Sequence, residues 1–226
     1  MAHAQASAPT PIQRQPTSRF MRMLSIPWVD KTIAIVAVTP HTIEFYHRYT
    51  NATLTFPRAV LGIQFFILII TMVIRRTPVR VTPNPWFWLL AFVATYGVFT
   101  FTAFTPNGHP IVPLFVSDAL AVVSAVVFIF ARLSLGRSIG FVPANRGIVT
   151  RGAYRFVRHP IYTGAFFAML ALVLRSYSWL NLLLGATIVG LFMVKSIVEE
   201  YFLKRDDPTY AAYLQRVRWR WIPGVA

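Results

Sequence analysis

The chain contains no cysteine. This removes disulfides, thiolate metal sites and a C-terminal prenylation signal, and leaves the redox compartment open. Acids are nearly as scarce, with 7 Asp and Glu against 22 Lys and Arg in 226 residues and a formal charge of +15. The histidines at 3, 41, 47, 109 and 159 have no metal-ligand spacing, so no metal is expected. The chain also lacks the Gly-x-Gly-x-x-Gly, P-loop, Gly-x-Ser-x-Gly and His-Glu-x-x-His patterns. Charge of either sign is sparse: 13% of residues are charged and 56% hydrophobic, and the mean hydropathy is +0.55. That composition is too apolar for a soluble domain of this size and predicts an integral membrane protein. The basic residues fall in short connections between apolar runs, where anionic membrane lipids are the expected partner and nucleic acid is not.

What is present is a series of apolar runs. Five segments have the length and composition of spanning helices: Phe56 to Ile74, Trp86 to Phe104, Pro113 to Leu133, Ile161 to Leu174 and Trp179 to Val198. Val29 to Tyr49 is a poorer sixth, because Asp30, Lys31, His41 and Glu44 interrupt it and Pro40 would kink it. The sequence therefore predicts an all-α membrane protein, a bundle of five to six transmembrane helices. Arg175 to Ser178 are too few to separate the last two segments, which predicts a C-terminal helical hairpin with Pro160 in its first turn. With six spans and the N-terminus inside, every basic residue except Arg48, Arg58 and Arg175 falls on the cytosolic side. A multi-pass protein with both termini in the cytosol follows. Residues 1–27 are rich in Ala, Pro, Gln, Ser and Thr and read as a disordered cytosolic tail, although a transit peptide has a similar composition. Residues 28–133 form the N-terminal transmembrane helices, and 134–226 a C-terminal region that holds the chemistry. The tryptophans at 28, 86, 88, 179, 219 and 221 lie near segment borders, as interfacial anchors do.

The run Arg151-Gly-Ala-Tyr-Arg-Phe-Val-Arg-His-Pro-Ile-Tyr162 sets polar chemistry against the start of an apolar helix. His159 precedes Pro160 at the helix mouth, where backbone N–H groups are free and the dipole favours an anion. It is either a cap or a ligand contact. Tyr154, Arg155, Arg158 and Tyr162 supply more donors than a cap requires, with headgroup binding as the alternative. Glu199 and Glu200 end the second hairpin segment, where carboxylates oppose the helix dipole, and one of them can face the hairpin interior. Asp207-Pro208 opens a short helix with Tyr210 and Tyr213 on one face. The alternation Arg218-Trp219-Arg220-Trp221 suits either a segment in the membrane interface or a lid over a ligand. Asp118 lies near the outer face and stays outside the site.

These residues resemble the isoprenylcysteine carboxyl methyltransferase family and its wider group of integral-membrane methyltransferases. The matching elements are Leu135-Gly136-Arg137-Ser138, Gly147 through Gly164, Glu199-Glu200-Tyr201-Phe202-Leu203, Tyr210-Ala211-Ala212-Tyr213 and Val217 through Pro223. The resemblance implies S-adenosylmethionine as cofactor, bound with no Rossmann domain in a cytosolic pocket between the Arg-His-Pro mouth, the hairpin and the C-terminal segment. It assigns cofactor binding to Tyr154, Arg158, His159, Tyr162, Glu199, Glu200 and Tyr213. Glu199 is also counted with Arg205, Arg218 and Arg220 as catalytic, the arginines to orient an acceptor carboxylate. Two departures fall near the acceptor side: Lys195 stands where relatives often carry Arg, and Asp206-Asp207-Pro208-Thr209 replaces a loop that usually holds Phe-Gly. The expected partner is a lipophilic small molecule or lipidated substrate, such as an isoprenylcysteine carboxylate, with a small thiol or phospholipid amine as alternatives. A sterol-reductase-like enzyme and a non-enzymatic scaffold or transporter are the competing readings.

Overall fold

Prolines and glycines mark out the helices. The computed structural model describes residues 23, 26–49, 56–104 and 108–225. The tail expected over 1–27 lies almost wholly outside them. Helix dominates the described residues: α1 (Pro27–Tyr49), α2 (Phe56–Val73), α3 (Pro85–Phe104), α4 (Leu114–Leu135), α5 (Pro160–Arg175), α6 (Trp179–Asp206) and α7 (Thr209–Arg216). α4 starts after extended Pro113 and ends at Gly136, whose φ of +54° is open to glycine and strained for other residues. Pro160 is the first residue of α5, as its missing N–H favours. Ser178 caps α6 by accepting from the Asn181 N–H at 3.1 Å.

Among the described residues, two stretches are long and apolar enough to cross a membrane, Leu114–Ser138 (α4 with the turn after it) and Trp179–Asp206 (α6); Gly62–Val73 within α2 and α5 are apolar but shorter. Large apolar side chains such as Ile35, Phe66, Val93, Val126, Leu183 and Val194 point outward, exposed. A water-soluble fold would bury such residues, whereas lipid covers them at no cost. The inner contacts use small residues: Ala34, Ala91, Ala94, Ala125 and Ala131 are completely buried. α4 packs along α5, where the Ser124 hydroxyl donates to the Gly164 carbonyl at 2.8 Å. A Cβ on Gly164 would come within 3.1 Å of the Phe128 ring, so this close approach depends on the glycine. α5 and α6 touch each other and run antiparallel, with the start of α5 beside the C-terminal turns of α6.

Most of the basic loops gather at one end. β1 (Arg80–Val81) pairs antiparallel with β2 (Ala144–Asn145), in register Arg80 to Asn145. Asp206 closes α6 against this pair, 3.1 Å from Arg80 and accepting from Asn145 at 2.9 Å. At the opposite end, His109 and Tyr177 exchange backbone hydrogen bonds of 3.1 and 2.8 Å, and Asp118 pairs with Arg175. That pairing accounts for Asp118 without any role in a site.

Residues 29–49, the poorer sixth candidate, lie in α1, which is not among the stretches long and apolar enough to cross a membrane. It is a continuous helix with Pro40 inside, and Asp30 and Lys31 both have partners. Asp30 accepts from Arg75 Nη2 at 2.7 Å and Nε at 3.0 Å, and from Arg146 at 3.2 Å. Lys31 Nζ donates to the Val73 and Arg75 carbonyls at 2.5 and 2.6 Å. One buried carboxylate thus ties α1, the end of α2 and the loop before α5 together. Two of the tryptophans also depart from a purely interfacial role: Trp88 donates to the Thr82 carbonyl at 2.9 Å and Trp221 to Ser196 at 3.0 Å.

Asp30→Asn keeps the shape but leaves two buried guanidiniums without a counter-charge, which costs about 3–5 kcal/mol. Equilibrium unfolding in detergent should show that loss. A variant within about 1 kcal/mol of wild type, the ordinary range for a surface change, contradicts the role given to this pair.

Candidate functional site

The polar chemistry begins where α5 meets the C-terminal segment. Pro160 fixes the first turn, and His159, at φ −131° and ψ 61°, turns the chain into it. The segment after α7 then crosses this mouth. Its Trp219 and Arg220 carbonyls accept from the Arg158 and His159 N–H groups, each at 2.9 Å, and its Trp221 carbonyl accepts from the Thr163 hydroxyl. These two N–H groups, which the sequence left open to a ligand, are taken up by the chain itself, because the tail supplies carbonyls at the right spacing.

Glu200 holds that crossing in place. Its carboxylate accepts from His159 Nε2 at 3.0 Å, from Arg158 Nη1 at 2.9 Å and from Arg220 Nε and Nη2, both at 3.0 Å. An ionised carboxylate only accepts, so the proton of His159 sits on Nε2. The fork-on-carboxylate geometry of Arg220 is the strong, bidentate kind, and these hydrogen bonds raise the Arg220 pKa above its ordinary value.

Glu199 has a different environment. It accepts from the Tyr162 hydroxyl at 2.7 Å, lies 4.0 Å from Lys195 Nζ and 3.9 Å from His159 Nδ1, and lines a cavity of about 530 Å³. The expectation that the pair ends α6 is corrected: the helix continues to Asp206, with Lys204 and Arg205 in its last turn. The carboxylates therefore lie beyond the reach of the C-terminal dipole, which fades within one turn.

The cavity has two characters. One end carries Tyr154, Arg158, His159, Tyr162, Lys195, Glu199, Tyr210 and Tyr213; the other carries Phe45, Phe65, Leu68 and Met72, which pack together. Burial is the main reason that the phenols of Tyr154, Tyr210 and Tyr213 have raised pKa values, with nearby carboxylates adding to it. They stay protonated donors at physiological pH. Tyr213 spends its hydroxyl on the Tyr154 carbonyl at 2.8 Å. His159 and Tyr162 stack at 5.4 Å, and Tyr162 stacks on Phe192 at 5.3 Å.

Of the residues expected from sequence, Tyr154, Arg158, His159, Tyr162, Glu199 and Tyr213 line this one cavity, while Glu200 lies behind it in the ion cluster. The acceptor arginines are placed elsewhere. Arg218 is exposed and offers only its carbonyl, to Arg158 at 2.9 Å; Arg205 is exposed and bonds Tyr201 at 2.7 Å; Arg220 is occupied by Glu200. Sequence reasoning did not assign Tyr210, Gln64, Arg132 or Lys195 to the site, yet all four line the cavity. Tyr210 shares a helix face with Tyr213 and was within reach of the pattern. Gln64 and Arg132 come from helices far away in sequence, and only packing brings them here.

Residues 112–206 match the family model described as phospholipid methyltransferase, which belongs to the isoprenylcysteine carboxyl methyltransferase-like integral-membrane methyltransferases. The match bears out the resemblance and supports a membrane methyltransferase. It takes in α4, α5 and α6, hence His159, Tyr162, Glu199 and Glu200, and stops before Tyr210 and the crossing segment. No curated protein matches the chain.

The two carboxylates should separate cleanly on substitution. Glu200→Gln removes one side of a buried charged cluster, a loss of about 2–5 kcal/mol, and should speed trypsin cleavage at residues 216–220 by roughly tenfold or more. Glu199→Gln should leave that rate unchanged. Equal cleavage in the two variants would show that Glu200 does not hold the segment.

Proposed function

We propose that the protein is an integral-membrane methyltransferase that uses S-adenosylmethionine and methylates a lipophilic acceptor at the membrane interface. The observation that carries this reading is the single cavity that joins a carboxylate-and-phenol end to an apolar end. Its volume lies in the range of small-molecule sites.

The residues at the polar end suit such a cofactor. Glu199 makes one short hydrogen bond and keeps accepting capacity for ribose hydroxyls or an ammonium group. Arg158 has a buried Nε with no partner, a donor for a carboxylate. The hydroxyls of Tyr154 and Tyr210, kept protonated, add neutral donors, and Phe192, Ile161 and Met169 offer apolar surface for a flat base. When bound, S-adenosylmethionine supplies a methyl group on a sulfonium, open to in-line displacement. The protein's own contribution is alignment and the exclusion of water, which is most of what such a transfer requires. Glu200 and its three partners keep the mouth closed on the side away from the cavity. Among acceptors, an isoprenylcysteine-like carboxylate, a phospholipid amine and a thiol all fit this scheme. The apolar half favours one with a long tail, which partitions into the bilayer and reaches the site at high local concentration.

The remaining helices, grouped around α4 and α6, support a multi-pass arrangement of five to six spans. The basic end holds the loops 74–84 and 136–158 and the chain after 204, and an excess of Lys and Arg faces the cytosol. The cavity's polar end and the C-terminus then open to the cytosol.

Calorimetry on protein in nanodiscs should detect binding of S-adenosylmethionine, and Glu199→Gln should weaken it by about 1.5–3 kcal/mol, the value of a charge-assisted hydrogen bond. In sealed inside-out vesicles, radiolabelled methyl transfer should proceed without detergent and rise with acceptor chain length. Absence of a binding signal, or equal turnover of short soluble and long-chain acceptors, would contradict the reading.

A further inference from the structure

Four charged side chains of the cavity wall are cations by type: Arg132, Arg146, Arg158 and Lys195. Three of them have a carboxylate. Arg146 reaches Asp30 at 3.2 Å, Arg158 reaches Glu200 at 2.9 Å, and Lys195 lies 4.0 Å from Glu199. Arg132 has none among the described residues. Its Nη1 makes a long contact of 3.3 Å with the Gln64 carbonyl, its guanidinium carbon lies 5.0 Å from the Phe128 ring centre, and its Nε is shut off from solvent with no partner. The other described acids are engaged or distant: Asp118 pairs with Arg175, Asp206 with Arg80, and Asp207 accepts from Thr209. Burying a cation without a counter-charge or a full set of hydrogen bonds is costly, and the cost is relieved when a ligand brings the missing acceptor.

The place of Arg132 in the cavity says which ligand. It sits one turn before the end of α4, against the Gln64 carbonyl and the Phe128 ring, and lines the same cavity as Phe65, Leu68 and Met72 and as Glu199. We infer that Arg132 is the specificity-determining residue for the acceptor: its guanidinium pairs an oxyanion, carboxylate or phosphate, on the headgroup of an amphiphile whose tail lies among Phe65, Leu68 and Met72. The role in catalysis rests on the methyltransferase reading, whereas the anion site itself does not. A guanidinium fork matches two oxygens of one oxyanion, which a lysine does not reproduce.

The test uses the full chain in phosphatidylcholine nanodiscs, with a dansyl-labelled undecanoic acid displaced by dodecanoate, dodecyl phosphate or dodecanol. Wild type should take an anionic amphiphile about tenfold or more tightly than dodecanol, as a charge-assisted pair does. Arg132→Gln should erase the preference to within about twofold, Arg132→Lys should keep part of it, and exposed Arg151→Gln should keep all of it. Whether dodecanoate or dodecyl phosphate wins identifies the oxyanion. An anionic preference that survives in Arg132→Gln, or one that is absent from wild type, overturns the proposal. So does a parallel loss of S-adenosylmethionine affinity in Arg132→Gln, since it would put the guanidinium on the donor. Loss of anion preference in a protein that binds no S-adenosylmethionine leaves the site standing and removes only the transferase reading.

Discussion

The site depends on one buried carboxylate. Glu200 is met by a histidine and two arginines, at distances between 2.9 and 3.0 Å, and those partners come from two places far apart in sequence, the mouth of α5 and the segment after α7. A single buried charge of this kind is costly unless its partners surround it, so the carboxylate, the mouth and the tail hold their positions together. With the tail in place, Trp221 reaches Ser196 on α6, and Tyr210 and Tyr213 form one wall of the cavity. The chain builds the site by returning its own C-terminal segment over a helix end that would otherwise offer open backbone donors to water.

That arrangement gives adjacent glutamates separate tasks. Glu200 is saturated and holds structure; Glu199 has one strong partner and faces the cavity. A comparable division holds among the cations. Arg75 and Arg146 are tied by Asp30 at the basic end of the helices, while Arg132 keeps its Nε donor unmet beside the cavity. Among the described arginines of the cavity wall, Arg146 and Arg158 have a carboxylate and Arg132 has none, which leaves Arg132 suited to an anion that arrives from outside.

Much of this was legible in the sequence, for physical reasons. Long apolar runs closed by Pro, Gly or charge leave little freedom, and the helix limits of α2 through α5 fall within one or two residues of the expected ones. The cluster from Arg151 to Tyr162 announced itself by packing cations and phenols at a helix start, and the carboxylate pair by its cost on an apolar helix. What was not legible depends on contacts across the chain. The extension of α6 through Asp206 was hidden because the carboxylate pair and then Lys204, Arg205 and Asp206 interrupt the apolar run; Asp206, at the helix end, bonds Arg80 and Asn145 from the paired strands. Asp30 and Lys31 looked like flaws in a span until Arg75 and the end of α2 were seen beside them. The arginines after α7 seemed suited to a ligand by type alone, yet one binds Glu200 and another faces solvent. Arg132 looked like one more topological cation, since nothing local to it reveals that it points into a cavity.

The cavity between the crossing segment, α5 and α6 should be where an adenosyl ligand binds. Hydrogen–deuterium exchange on the protein in nanodiscs, with and without S-adenosylhomocysteine, reads this directly. Slowed exchange is expected in residues 154–163, 199–203 and 209–222, the edges of the polar end, with residues 109–113 and 176–181 at the opposite end unchanged. Protection confined to that opposite end, or no protection at any concentration, would contradict it.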